Sequence, residues 1–291
     1  MIIITGATGA LNGATADHLL RRIPASDVAI AVRDPARSRR FADRGVEVRR
    51  CDYADPTSLP GAFDGADQLL LVSSNDPTGD TVDLHRAAID AAVKADVGRI
   101  LYTSHQGAAP DTPFFPGRHH FATEQLLAES GIAWTSLRNG FYAHSLTWLA
   151  GPWRETGETG ETGVIAVPAD GAVSWTARAD AAEAAAVILE SDGAYNGPTT
   201  ITANAAPTFD EIATIAAELT GQSIKRVVLD PEEWVASQVA AGQQEFMARF
   251  SLGMYQAANE GFFAATDPLL GTLLGREPRA VLDVLAGPIT H

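Results

Sequence analysis

Short apolar runs alternate with helix-period stretches through the first half of the chain. The runs at residues 2–5, 28–32, 46–50, 68–73, 100–104 and 134–138 have strand length and are rich in Ile, Val and Leu. Between several of them apolar residues return every three or four positions, which predicts helices over 14–22, 36–44, 80–95 and 119–130. In the third of these, Val82, Ile89 and Val93 share a face with Ala88 and Ala92 beside them. Strand-helix alternation of this kind builds an α/β fold, a doubly wound parallel sheet of Rossmann type with helices on both faces.

The pattern changes at Gly151. Residues 154–163 read Arg-Glu-Thr-Gly-Glu-Thr-Gly-Glu-Thr-Gly, too polar and glycine-rich to pack, and predict a solvated loop. Strands are expected beyond it at 164–167, 172–175, 199–202 and 225–229, with helices at 179–190 and 209–220. Thr208 is placed to cap the second of these helices, and the tail from Pro231 reads as mainly helical. The expected organisation is a nucleotide-binding Rossmann domain over 1–150 and a smaller, partly interleaved α+β substrate region over 151–291. Some segments of the second region are expected to return to the first sheet.

The chain has 291 residues, 46% of them hydrophobic, enough for a sizeable core. Lys and Arg number 21 against 36 Asp and Glu, and the net charge of −15 disfavours nucleic acid and anionic membrane surfaces as partners. The longest apolar runs, Ile2-Ile3-Ile4 and Leu69-Leu70-Leu71-Val72, fall far short of the roughly 20 residues of a membrane span. Met1 leads straight into a strand with no basic or cleavable leader, so the expected location is the cytoplasm. The lone Cys51 makes no internal disulfide and reads as a small buried thiol at a strand end. Lys94 and Lys225 are the only lysines, and four arginines, Arg33, Arg37, Arg39 and Arg40, gather in one place as a candidate anion site.

The first strand runs into Gly6-Ala7-Thr8-Gly9-Ala10-Leu11-Asn12-Gly13 and then into a helix pattern. A dinucleotide site uses glycines there for a tight turn, for close backbone approach to the pyrophosphate, and for close helix packing. Gly6 and Gly9 fit the first two roles, whereas the third spacing falls on Asn12, which puts the packing of the helix start in question. The second strand ends in Arg33, followed by Asp34. An arginine there suits the 2′-phosphate of NADP(H), where NAD sites place an acidic residue.

With these pieces in place the chain resembles the NmrA-like branch of the atypical short-chain dehydrogenases, and within it the NAD(P)H:quinone oxidoreductases. The likeness rests on Gly6-Ala7-Thr8-Gly9, Pro24-Ala25-Ser26, Val32-Arg33-Asp34-Pro35, Cys51-Asp52-Tyr53 and Leu71-Val72-Ser73-Ser74. It continues through Tyr102-Thr103-Ser104, Thr123-Glu124, Ser130-Gly131-Ile132, Leu137-Arg138-Asn139-Gly140-Phe141-Tyr142 and Gly275-Arg276-Glu277-Pro278-Arg279. The resemblance implies that Gly6, Thr8, Gly9, Ala10 and Leu11 line the pyrophosphate, that Arg33 meets the 2′-phosphate, and that Asp52 and Tyr53 flank the adenine. It places Ser73, Ser74, Thr103 and Ser104 beside the nicotinamide and its ribose, as the strand-end rule for open α/β sheets also does. Asn139 and Phe141 are further cofactor-binding candidates; with Tyr142 and Trp148 they follow the sixth strand, where the second region is expected to close over the nicotinamide and aromatic rings either stack a flat substrate or fill the core.

No Tyr-x-x-x-Lys pair occurs in the chain, so the usual proton donor of short-chain dehydrogenases is missing. His120 falls where some related reductases carry a catalytic lysine, and it is the candidate catalytic group together with Ser104 and Tyr142. Adjacent His119 and His120 make a poor metal pair, and no metal is expected. The expected activity is NADPH-dependent hydride transfer to a quinone or similar flat carbonyl compound, which needs no strong protein acid. Two other readings stay open: a non-catalytic NADP-sensing regulator, and a reductase or isomerase of aromatic secondary metabolites. A homodimer is compatible with either.

Overall fold

The structure is a computed structural model that describes residues 1–76, 79–151, 163–191 and 193–286. Residues 154–162 of the Glu-Thr-Gly run lie outside the described residues. Among the described residues nine strands form, β1 (Ile2–Thr5), β2 (Val28–Val32), β3 (Glu47–Arg50), β4 (Gln68–Leu71), β5 (Arg99–His105), β6 (Ala133–Asn139), β7 (Gly163–Val167), β8 (Gly197–Ile201) and β9 (Ile224–Val228). Seven of them make one sheet in the order β3-β2-β1-β4-β5-β6-β8, with every neighbouring pair parallel. Val28–Val32 is buried at every residue, as a strand covered on both faces must be. The doubly wound expectation holds.

Helices cover both faces. Ala10–Leu19 and Arg178–Glu190 pack on one side, around Ile4, Ile30, Leu70 and Leu101. On the other side Thr81–Lys94 and Phe115–Glu129 cover Ile3, Leu69, Ile100 and Tyr102. Thr81–Lys94 buries Leu84, His85, Ala88, Ile89 and Ala92, while Val93 is exposed, so its inner face is rotated from the expected Val82/Ile89/Val93 stripe. Asp80 caps this helix by accepting from the Val82 and Asp83 amides. The expected helix over 36–44 is a short 3₁₀ turn, Pro35–Ser38, followed by Arg39–Ala42.

A second core gathers around Trp175, Phe209, Tyr255 and Phe263, under the parallel pair β7–β9 and the helices Phe209–Thr220, Pro231–Ala240 and Glu245–Asn259. Thr208 caps Phe209–Thr220 in a reciprocal capping box with Glu211, as its sequence announces. The strand expected at 172–175 does not form. Val173 and Trp175 are buried as a strand would bury them, but the Val173 and Ser174 amides donate to the loop carbonyls of Pro207 and Phe263 rather than to a neighbouring strand. Buried Asp180 accepts from Arg276 at 2.9 Å, from Arg279 and from the Arg279 amide at 2.7 Å, which ties the closing Gly275–Arg279 segment to the helix Arg178–Glu190.

Asn12 leaves helix packing intact, contrary to the doubt its position raised. It is buried, and its Nδ2 donates to the Thr5 carbonyl at 2.8 Å. The neighbouring Gly13 makes the close approach: a Cβ there would stand 2.7 Å from the Ala7 carbonyl oxygen. Gly13→Ala is therefore expected to lower stability by about 1–3 kcal/mol through overpacking against backbone. Gly61→Ala, in the helix Leu59–Phe63 with nothing within 4 Å of an added Cβ, is expected to be neutral or to stabilise by about 0.4–1 kcal/mol. Urea unfolding of the two variants checks the contrast, and equal losses contradict it.

Candidate active site

In an open α/β sheet the ligand crevice lies beyond the carboxyl ends of the strands, where the strand order reverses. Here the reversal falls between β1 and β4. A cleft of about 460 Å³ opens at that point, lined by the residues that leave β1, β2, β3 and β4.

Its floor is the glycine turn. Gly6 has φ +65°, and a Cβ there would stand 2.6 Å from Val72 Cγ1, so the turn takes glycine for both backbone and space. Gly9 is the N-cap of Ala10–Leu19; no side chain caps this helix, and no acidic residue sits in its first turn. Its first amides are left for an anion, which the helix dipole also favours. Gly6, Thr8 and Gly9 line the cleft. Ala10 and Leu11 belong to the helix start behind that lining, with Ala10 exposed.

The opposite end is formed by Arg33, Asp34, Arg37, Cys51, Asp52, Tyr53 and Ala54. The four-arginine anion site separates into two pairs. Arg33 and Arg37 line the cleft, and Arg33 reaches Asp76 Oδ2 at 3.2 Å. Arg40 instead binds Asp17 at 2.6 Å and lies over the Phe41 ring, and Arg39 stands outside the lining. The Asp34 carboxylate accepts from the Ala36 amide at 3.0 Å, capping the 3₁₀ turn. Tyr53 closes the wall, its phenol 2.8 Å from Thr5 Oγ1 and 3.2 Å from the Val72 carbonyl. Burial pushes its pKa well above the ordinary value and that of Cys51 up to about 12, so neither is an acid or nucleophile at neutral pH.

At the β4 end Ser73, Ser74, Asn75 and Asp76 line the cleft. Thr103 on β5 holds this loop, its Oγ1 accepting from the Ser73 amide at 2.8 Å. Ser104 faces the other way. Its hydroxyl donates to buried Glu124 at 2.8 Å, in a network completed by Ser136 and by Arg138, and it is committed to that carboxylate.

Four rings the short-chain pattern does not name together meet here: His85, Tyr102, His105 and His120. The Ser74 amide donates to His85 Nε2 at 2.7 Å, and since an amide can only donate, His85 carries its proton on Nδ1. That Nδ1 lies 2.8 Å from Thr123 Oγ1, which in turn donates to the His119 carbonyl at 2.8 Å. His120 Nδ1 lies 2.8 Å from the Tyr102 hydroxyl, and its ring stacks on His105 at 6.2 Å. Burial lowers the pKa of His85 and His105 to about 3 and that of His120 to about 4. All three are neutral at pH 7, so His120 is a hydrogen-bonding group and not an imidazolium acid.

Beyond β6 the expected aromatic platform is mostly core. Phe141 is buried and meets Phe114, Trp175, Phe263 and His105 edge-on or tilted. Asn139 is buried as well, with Nδ2 3.5 Å from the Tyr142 hydroxyl, and Trp148 is exposed on the short helix Leu146–Leu149. Burial raises the Tyr142 pKa to about 12, which keeps the phenol protonated. Asn139, Phe141, Tyr142, Ser104 and His120 all lie outside the cleft lining, past its β4 end. Among the described residues no cluster of His, Cys, Asp and Glu could hold a metal ion, and no helix is long and apolar enough to cross a membrane.

His85 and His105 are absent from the sequence-based site. The one sign of His85 is a polar residue on the apolar face of its helix, between Leu84 and Ala88; the one sign of His105 is its place at the end of the fifth strand, next to Ser104.

A parallel sheet with a glycine turn at its first strand end and an anion-ready helix at the reversal point defines an open α/β protein built for a dinucleotide. Comparison with known proteins narrows the class: the NmrA-like family pattern matches residues 1–261, and the chain belongs to that family. It is 34% identical to quinone oxidoreductase 2 of Escherichia coli, covering 100% of this chain and 98% of that one. It is 30% identical to an NAD(P)H azoreductase of Xenophilus azovorans over 97% and 96% of the two chains. The structure of an NADPH-dependent quinone oxidoreductase from E. coli complexed with NADPH superposes with a TM-score of 0.89 at 30% identity, over 98% of this chain and 99% of that one.

The three neutral histidines make folding acid-sensitive. Their folded pKa values lie below the ordinary 6.5, so as pH falls the unfolded chain takes up protons first. Stability is fully present above pH 6.5 and is lost toward pH 3–4, at up to about 1.4 kcal/mol per pH unit for each histidine. The urea midpoint is expected to be level from pH 8 to 7 and to fall between pH 6.5 and 5, before ordinary carboxylates titrate. A midpoint that stays level down to pH 5 contradicts the neutral cluster.

Proposed function

We propose that the cleft binds NADPH and that the protein is an oxidoreductase reducing a quinone or a similar flat carbonyl compound. The observation that carries the cofactor is the mouth of the cleft, where two arginines, Arg33 and Arg37, join the lining and one oxygen of the Asp34 carboxylate caps the turn by accepting from the Ala36 amide. An NAD site places an acidic acceptor for the ribose hydroxyls directly after the second strand; here that position is Arg33, and the following Asp34 already accepts from the Ala36 amide. The uncapped helix start takes the pyrophosphate, Asp52 and Tyr53 border the adenine, and Ser73, Ser74 and Thr103 border the nicotinamide ribose. Reduced nicotinamide supplies hydride when bound.

The chain's own part is to orient and to exclude water. Phe141 and the rings around it form a dry wall past the β4 end of the cleft. His120, held by the Tyr102 hydroxyl, borders the acceptor there as a neutral hydrogen-bonding group. Tyr142 offers a protonated phenol. None of these is a strong acid, and a quinone needs none, since its reduced oxygen is a weakly basic phenolate that takes a proton from water. The relatives that reduce quinones and azo compounds support an electron-poor acceptor of this kind. A cytoplasmic location suits an enzyme that draws on reduced nicotinamide.

Arg33→Ala is expected to weaken NADPH roughly tenfold and to leave NADH nearly unchanged. A charge-assisted bond to the 2′-phosphate is worth about 1.5–3 kcal/mol, and the lower end applies because Arg33 is exposed and must leave Asp76. Fluorescence titration with both nucleotides reads the difference, and parallel losses refute the assignment. In turnover, loss of NADPH absorbance with a panel of simple quinones is expected, and His120→Ala should lower kcat/KM by up to about 100-fold with NADPH affinity intact. Tight NADPH binding with no oxidation by any quinone across the pH range removes the reductase and leaves a sensor.

A further inference from the structure

His105 is the last residue of β5, and its ring is held from several sides. Phe114, Phe141 and Phe263 surround it with centroids at 5.6, 5.3 and 5.1 Å, and His120 stacks on it. The turn that follows fixes the ring further: the Gly107 amide donates to His105 Nδ1 at 3.1 Å. Glycine is required at that position, because a Cβ would stand 2.3 Å from the Phe263 ring. An amide can only donate, so Nδ1 is the bare acceptor and the ring proton sits on Nε2. No hydrogen bond to Nε2 forms among the described residues, and His105 is half-buried rather than fully enclosed. A fixed ring thus presents a free N–H.

The face from which the His105 side chain leaves β5 follows from the pleat. Thr103 and His105 share one face of β5, two residues apart, and Thr103 is the residue that holds Ser73 at the β4 end of the cleft. His105 lies one pleat farther out, beyond the place where the nicotinamide ribose is expected. We propose that His105 is a catalytic hydrogen-bond donor whose Nε2–H binds the substrate carbonyl oxygen and stabilises the negative charge that reduction leaves on it. This role rests on the quinone-reductase reading above. Hydride passing from reduced nicotinamide to the quinone leaves oxidised nicotinamide and a hydroquinone monoanion; one proton from solvent water then completes the hydroquinone. A neutral imidazole is well matched to this role, because burial and the nearby His120 lower its pKa to about 3. Its donor is therefore present at every working pH and costs no charged group in an apolar shell.

The test compares His105→Leu, which removes the donor, with His105→Gln, which returns an N–H donor on a side chain of similar reach. With a saturating quinone, His105→Leu is expected to lose about 100-fold in kcat with NADPH affinity unchanged, the lower end for loss of one oxyanion donor. His105→Gln is expected to recover most of that loss. A second readout needs no turnover: 4-nitrophenolate, a stable phenolate, should bind the NADP⁺ complex about tenfold more weakly in His105→Leu than in the wild type or His105→Gln. Equal turnover and equal phenolate affinity in wild type and His105→Leu overturn the assignment and leave the reductase standing. A wild type that oxidises NADPH with no quinone overturns both.

Discussion

The site depends on one close approach, that of the Gly6 backbone to the side chain of Val72. β1 and β4 are neighbours in the sheet, and their exits converge because position 6 carries no Cβ to hold Val72 away. Thr5 fastens the junction. Its hydroxyl donates to the Leu70 carbonyl at 3.0 Å and accepts from the Val72 amide at 2.8 Å, and the Tyr53 phenol joins it from the β3 exit. Three strand ends are thereby drawn to one point, and the cleft is the space left above them. With Val72 fixed, Ser73 and Ser74 fall where Thr103 and His85 can hold their amides.

Past that junction the buried rings are neutral. The buried carboxylate there, Glu124, is consumed by Ser104, Ser136 and Arg138, and His85, His105 and His120 are neutral and fixed in tautomer or orientation by a backbone amide, a hydroxyl or an aromatic ring. An unpaired ion in this shell would be costly, whereas oriented neutral dipoles keep their full effect in a medium of low dielectric. Such a site suits an acceptor that stabilises its own negative charge. A simple ketone, whose alkoxide demands a proton at once, matches it less well. The missing Tyr-x-x-x-Lys pair and the neutral cluster are therefore two aspects of one design.

The sheet was legible because its strands are buried on both faces and read as unbroken apolar runs, Val28–Val32 above all. That Gly6, Gly9 and Arg33 line one cleft was legible for a related reason: the turn needs backbone freedom and the mouth carries formal charge, properties that belong to the residue type itself. Residue type does not reveal commitment to a partner. Ser104 reads as a free hydroxyl and belongs to Glu124; Arg40 reads as part of an anion site and belongs to Asp17; Phe141 reads as a stacking surface and is core. His105 and His85 were hidden for the opposite reason, since only the turn at Gly107 and the Ser74 amide fix their tautomers. The strand expected at 172–175 failed because burial and extension were right but its hydrogen-bond partners are loop carbonyls, which no periodicity encodes.

The most direct measurement is a crystal structure of the protein grown with NADPH. The 2′-phosphate is expected between Arg33 and Arg37, the pyrophosphate over Gly6–Gly9 at the start of the helix Ala10–Leu19, and the nicotinamide past Ser73 beside His105. A nucleotide bound with its 2′-phosphate away from both arginines, or with the nicotinamide turned out of the β4–β5 end, contradicts the assignment of this cleft as a reductase site.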